Sequence, residues 1–505
     1  MRLLKSLCSS SSRSSRSTFF SAEDAKTAFN MVCCVCGIGS LGMPSNYSRA
    51  GPFYATIALL FMAFANIYAT VALSKVMLAA PSSVKTYSDL GRWAMGKWGY
   101  YLVVISHMGV CLLTPCAFLV LGGQLLDVLF PDAFSQAFWI GFMAAVVIPI
   151  ALVPTLKESS KLALAGCIGT FVADIIAVSI LNYELRGYPT PPSPDVSVHQ
   201  VLMSFGNLSL AYAAAIVVPD LQRQHSKPNR MPRVIFLSLL LVSAFFLALA
   251  IAGYVAGGCQ LSGNILFSIV SPSEPLSAST LGFTASRGAV IMAYLFMQLH
   301  ITIAFSTLLQ PAFYMAERVF LGMHQESSEV GNCDCSTDEL QDKVPYNLVS
   351  TPSTASDTAA SDLESDSEHS APVSIEKGDD ASTEYQDGPN SSRYALVRVA
   401  MIVTLAAVSI ALRDHFLDLV DFTGATFITT CCLIVPLVLY LKVLWLKLPW
   451  WERSFALVII AICSVAGVYV MIFAGKNLIR PDEDSATFPY CSERYQSEPY
   501  YQVDS

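Results

Sequence analysis

Eleven apolar runs separated by short polar breaks dominate the chain, and no soluble core can absorb them. They fall near residues 25–47, 52–79, 100–130, 136–154, 160–182, 198–220, 233–256, 286–318, 394–413, 417–445 and 454–475. A helix needs ~20 apolar residues to cross a bilayer. Within the bilayer every backbone polar group must find its partner inside protein. Of 505 residues, 54% are hydrophobic and 13% are charged, whereas soluble domains carry ~25% charged residues. The expectation is an all-α integral membrane protein of about eleven transmembrane helices. The eighth run is long enough to tilt or to extend beyond the membrane.

Charge is unevenly distributed. Residues 322 to 392 hold sixteen Asp or Glu and two Lys, so this stretch carries −14 of a chain whose total is −8. Runs such as SDLESDSEH offer little to bury, and a disordered acidic loop is expected over 321–393. It separates helices one to eight (25–320) from helices nine to eleven (394–475), with tails at 1–24 and 476–505. Lys and Arg gather in the N-terminal tail and in the loops after spans two, four, six and ten. That bias places the N-terminus and those loops in the cytosol and the C-terminus outside or in a lumen. The acidic loop then faces the cytosol, where its serines suit phosphorylation or the docking of cytosolic regulators. The first twenty residues are basic, Ser-rich and free of acids, a composition shared by transit peptides. An ordinary cytosolic tail is the expectation. Of three sequons, at Asn46, Asn207 and Asn390, this topology leaves Asn46 alone on the glycosylating side.

Most of the fourteen cysteines lie inside apolar runs, where a small hydrophobe is the plain reading. Cys333 and Cys335 stand in the acidic loop without a histidine at ligand spacing, and Cys491 lies in the C-terminal tail. No metal site or cofactor is expected.

The first run contains VCCVCGIGSLGMP, residues 32–44. Gly37, Gly39 and Gly42 weaken a helix, and Pro44 removes a donor. A break in a spanning helix persists where it lines a cavity or binds something. In secondary transporters the half-helix N-terminus meets an anionic group and freed carbonyls hold cations. Close packing on small residues is the competing explanation. The sixth run, SFGNLSLAYAAAIVVPDLQ (204–222), carries a second interruption: Gly206, Asn207, Ser209, three alanines and Pro219. Two interrupted spans five apart fit an inverted repeat of five plus five helices.

FNMVCCVCGIGSLGMPSNYSRAG resembles the first span of the amino acid/auxin permease family. LAYAAAIVVPDLQRQHSKPNRMPRVI is similar to that family's sixth span and following loop. The resemblance covers nearly the whole apolar chain and leaves out the acidic loop. It implies a leucine-transporter-like fold with discontinuous helices one and six, and transport of amino acids. It implies further that the backbone of Gly37, Ile38, Gly39, Ser40 and Leu41 holds the substrate carboxylate. Groups near Asn207, Ala211, Tyr212 and Ala213 would hold its amino group. Two departures matter. Many plant members carry Gly-His where Ala214 and Ala215 stand. Sodium-coupled animal relatives carry a second Asn three residues after the one matching Asn30; here that position is Cys33, a poor sodium ligand. Proton coupling is therefore favoured over sodium coupling.

Ionisable residues inside spans are functional candidates. Asp174 lies deep in span five, His300 and Thr302 in span eight, and His107 in span three. Histidine suits a proton relay. An unpaired buried carboxylate such as Asp174 is expected to hold its proton at rest. With Asn30 these form the candidate set for ion coupling, although Thr302 can equally bond back to its own helix. The chain has no phosphate-cradling Gly-Lys motif, no HExxH and no nucleophile elbow. GIGSLG matches GxGxxG, but inside an apolar span with no strand before it. Enzymatic chemistry and nucleic-acid binding are thus not expected. The reading that emerges is a proton-coupled amino acid transporter of the plasma membrane or a vacuolar or lysosomal membrane. Its rivals are a sodium-coupled transporter and an amino-acid sensor that signals through the acidic loop.

Overall fold

The computed structural model describes residues 20–153, 160–271, 278–323, 388–480 and 486–503. Residues 1–19 of the basic tail and 324–387 of the acidic stretch, with Cys333 and Cys335, lie outside them, and the ninth span begins at Gly388, six residues before the expected 394. Every regular element among the described residues is helical. Among the described residues nine helices are long and apolar enough to cross a membrane, and Ala22–Val35 with Ile38–Ala50, bent by 53°, forms a tenth, broken span. Gln136–Ala151 is a shorter apolar helix of 16 residues where the fourth span is expected.

Local chemistry sets the limits of these elements. Ser21 caps the first helix and exchanges hydrogen bonds with Asp24, a capping box that starts the helix at Ala22. Thr86 and Asp89 do the same for Tyr87–Leu129. That element is 43 residues long because a short helix runs into the third span through Gly96, whose φ of 68° suits glycine and few other residues. The second span, Pro52–Ala79, begins with proline at its first turn, where the missing N–H has no intrahelical acceptor.

The sixth span is two helices, Val198–Leu210 and Val218–Gln224, joined by turns and a tight 3₁₀ segment at Ala215–Val217. The tenth runs as Phe416–Thr423, then eleven residues of π-helix at Gly424–Ile434, then Val435–Leu444. The sequence offered no sign of that wide helix. It packs against the first half of the sixth span, where a Cβ on Gly424 would collide with the carbonyl of Gly206.

The eighth span, from Arg287 to Ala316, packs mainly on the fifth and third. Its end is fixed by a buried pair in which Arg398 Nε donates to Glu317 Oε1 at 2.7 Å. Arg398 Nη1 also donates to the carbonyls of Ala151, at 2.7 Å, and Val153, at 3.1 Å. One guanidinium thus joins the ends of spans four, eight and nine. Such a pair persists because the hydrogen bonds compensate for desolvation.

Candidate functional site

In the first span the helix stops at Val35 and resumes for one turn at Ile38–Leu41 before Met43–Ala50. The Gly37 carbonyl accepts the backbone N–H of Ser40 at 3.1 Å and the Ser40 hydroxyl at 2.8 Å. The turn therefore closes on itself, while the first N–H groups of a new helix have no intrahelical acceptor. In the sixth span the Tyr212 N–H reaches back to the Ser209 carbonyl at 3.1 Å, and Ala214 N–H to the Tyr212 carbonyl at 2.8 Å. The two breaks touch. A Cβ on Gly39 would overlap the Cα of Ala211, so only glycine allows this approach. Gly42 lies as closely against the Asn207 side chain.

Gly37, Ile38, Gly39, Ser40, Leu41, Asn207, Ala211, Tyr212 and Ala213 are all buried around this crossing. Two side chains are already engaged. The Tyr212 hydroxyl donates to Ser243 Oγ on the seventh span at 2.9 Å, leaving its backbone to face the break. Asn207 Oδ1 accepts from Asn46 Nδ2 at 3.0 Å. Asn46 is 4% exposed, so its amide is closed to glycosylation, contrary to the sequon reading.

Two of the ionisable candidates converge on the crossing. His300 Nδ1 lies 3.1 Å from the Gly166 carbonyl. A carbonyl can only accept, so Nδ1 carries the hydrogen and Nε2 offers a lone pair. Nε2 has no hydrogen-bond partner among the described residues and lies within 2.5 Å of where a Cβ on Gly37 would stand. Asp174 is fully buried, and neither carboxyl oxygen has a hydrogen-bond partner among the described residues. Ser40 and Cys36, from the broken turn, are among its near neighbours. The other candidates stand differently. Thr302 bonds back to the Gln298 carbonyl at 2.8 Å. His107 packs on Tyr87, ring centroids 5.7 Å apart. Asn30 is buried one helical turn and more before the break, its Oδ1 without a partner among the described residues. No group of three or more His, Cys, Asp or Glu among the described residues could hold a metal ion.

Charged clusters close the bundle on either side of the crossing, and sequence reading did not pair them. On one side Arg49 Nη1 donates to Asp421 Oδ2 at 2.9 Å, with Arg49 5.6 Å from the Tyr490 ring centroid. On the other, Asp24 meets His225 Nε2 at 3.0 Å and Arg230 Nη1 at 3.1 Å. There Glu23 accepts from the N–H of Ser226 at 2.9 Å and from its hydroxyl. Lys227 N–H donates to His225 Nδ1 at 2.9 Å, so Nε2 is the donor to Asp24. Gln222 is also placed by the fold. It accepts from the Ser74 hydroxyl at 2.7 Å and donates to the Ser74 carbonyl at 3.0 Å, tying the sixth span to the second.

Two broken spans in contact, five spans apart, give a helical bundle of the leucine-transporter type. The structure superposes on MhsT in complex with L-phenylalanine with a TM-score of 0.51, at 12% identity, over 89% of this chain and 98% of that one. The chain belongs to the family described as transmembrane amino acid transporter protein, whose profile matches residues 23–480. It is 26% identical over 260 residues to amino acid transporter AVT1I of Arabidopsis thaliana, covering 48% of this chain and 62% of the relative. It is 20% identical over 246 residues to vacuolar amino acid transporter 4 of Saccharomyces cerevisiae, covering 46% and 34% respectively. The chain thus spans less than two thirds of the length of either relative. The family is one of transporters, not enzymes.

Proposed function

We propose that the protein carries amino acids across a membrane by alternating access, driven by protons. The observation that carries this is the contact of the two broken spans at Gly39 and Ala211, enclosed between the Arg49–Asp421 and Asp24–His225–Arg230 closures. The broken turn Gly37–Leu41 takes the substrate carboxylate. The backbone at Asn207, Ala211, Tyr212 and Ala213 takes the ammonium. Asp174 and His300 carry the coupling proton: each offers an acceptor without a partner among the described residues, one near the break and one directly against it. Cys33, where sodium-coupled relatives have Asn, supports the proton over sodium.

The N-terminus lies in the cytosol and the membrane is vacuolar or lysosomal, or the plasma membrane. A disulfide supports this orientation. Cys259, after the seventh span, pairs with Cys491 in the C-terminal tail, Cα atoms 5.3 Å apart. Both fall on the non-cytosolic face by the Lys and Arg distribution, and disulfides persist in oxidising compartments.

The test is purified protein in liposomes with an imposed pH gradient and labelled amino acids. Gradient-dependent accumulation of at least one is expected. No flux for any of the twenty would assign the site to a sensor instead.

A further inference from the structure

The C-terminal segment, residues 486–503, folds back over the face that bears the Arg49–Asp421 pair. The Cys259–Cys491 disulfide anchors it to the end of the seventh span. Gln260, fully buried, fixes it further: Nε2 donates to the carbonyls of Tyr495 at 2.9 Å and Glu498 at 2.8 Å, and Oε1 accepts the N–H of Tyr500 at 2.9 Å. Tyr501 donates to the Leu281 carbonyl at 2.7 Å. The Tyr490 carbonyl accepts the N–H of Asp195, at 3.0 Å, three residues before the first helix of span six. The Tyr490 ring lies against the Arg49 guanidinium. Phe488, Cys491 and Tyr500 are each no more than 3% exposed, so this is a packed element and not a loose tail.

The segment therefore joins three parts that must separate for this face to open. They are the second half of span one, which carries Arg49 in its last turn; the start of span six; and the loop after span seven. We infer that it is a built-in clasp that holds the outer closure shut and favours the inward-facing and occluded states over the outward-open one. The inference rests on reading Arg49–Asp421 as the outer closure of the translocation path. No chemistry at the disulfide is needed, since the bond serves as a fixed anchor. Elements that bias a two-state equilibrium shift populations by their differential contacts, and an opening that moves these three parts away from one another would break the contacts described here.

Hydrogen–deuterium exchange on the full-length protein in nanodiscs tests this without a known substrate. Tyr490→Ala keeps the disulfide and removes the ring from Arg49; Cys491→Ser removes the anchor. Both are expected to speed exchange in peptides covering 43–51 and 195–203 by about fivefold or more, the low end of ordinary coupling free energies. Peptides within span eight should keep their rates. Wild-type rates at 43–51 and 195–203 in both variants, with the tail's own peptide exchanging freely, would overturn the clasp. If Cys491→Ser loosens the whole chain, Tyr490→Ala decides by the same readout. Failure of the transport reading itself would appear separately, as absent flux with these exchange differences intact.

Discussion

His300 presents Nε2 to Gly37, at the residue where the first span breaks, because its Nδ1 is held by the Gly166 carbonyl of the fifth span. One side chain thereby connects three spans and leaves a single lone pair facing the break. Replacing it by Asn keeps a donor for Gly166 and deletes that lone pair. His300→Asn is expected to reach the membrane at normal abundance, to retain exchange of substrate across the bilayer, and to lose pH-driven accumulation. Counterflow and gradient-driven uptake, measured side by side, check this; equal loss of both would mean the residue is structural.

Asp174 lies close to the same turn. Asp174→Asn preserves shape and removes the titrating group, so accumulation under a pH gradient should fall to the level set by exchange alone. If His300 and Asp174 share one proton path, the double variant should lose no more than the stronger single one. Additive losses would place them on separate routes.

The contact of Gly39 with Ala211 leaves no room for a side chain. Gly39→Val should reduce uptake at least tenfold at unchanged membrane abundance, a change of ~1.4 kcal/mol or more in the productive arrangement. Wild-type uptake by this variant would move the carboxylate site elsewhere.

Arg49 and Asp421 are 372 residues apart and meet at 2.9 Å. Removing one partner of a buried pair leaves an uncompensated charge, at a penalty of about 3–5 kcal/mol for full burial and less here, because Arg49 is 17% exposed. Asp421→Arg or Arg49→Asp alone should depress uptake about tenfold, and the exchanged pair should recover part of it. A double variant as weak as the single ones argues against direct pairing.

Asn46 makes a cheaper check. Its amide is buried against Asn207, so treatment with a peptide N-glycosidase should leave the mobility of the expressed protein unchanged at that site. A shift abolished by Asn46→Gln would contradict the packing of the second half of span one.

How much of this was legible in the sequence depended on how local the cause was. The break at 36–44 could be read because three glycines and a proline act on their own backbone. The sixth-span break was fainter, since Ala213 to Ala215 favour helix and only contact with span one makes their small size meaningful. Thr302, a coupling candidate that could equally bond back to its own helix, does bond back to the Gln298 carbonyl. The pairings that close the two faces could not be read, because Arg49, Asp421, Asp24 and His225 are ordinary charges until folding brings them together. Cys259 ends a long apolar run and gave no reason to be matched with Cys491, 232 residues away. The capping box at Ser21 and Asp24 is a local signal, yet the use of Asp24 by His225 and Arg230 is not.

The π-helix in the tenth span bears on how this chain tolerates changes in length. Each π-turn holds about one residue more than an α-turn, as the bond from the Val435 N–H to the Thr430 carbonyl, five residues back, illustrates. A one-residue deletion between Gly424 and Ile434 can be absorbed by tightening to α, leaving Asp421 and Tyr440 facing their present neighbours. The same deletion in the eighth span has no such reserve. It would rotate everything beyond it by ~100° and turn His300 or Glu317 away from its contacts.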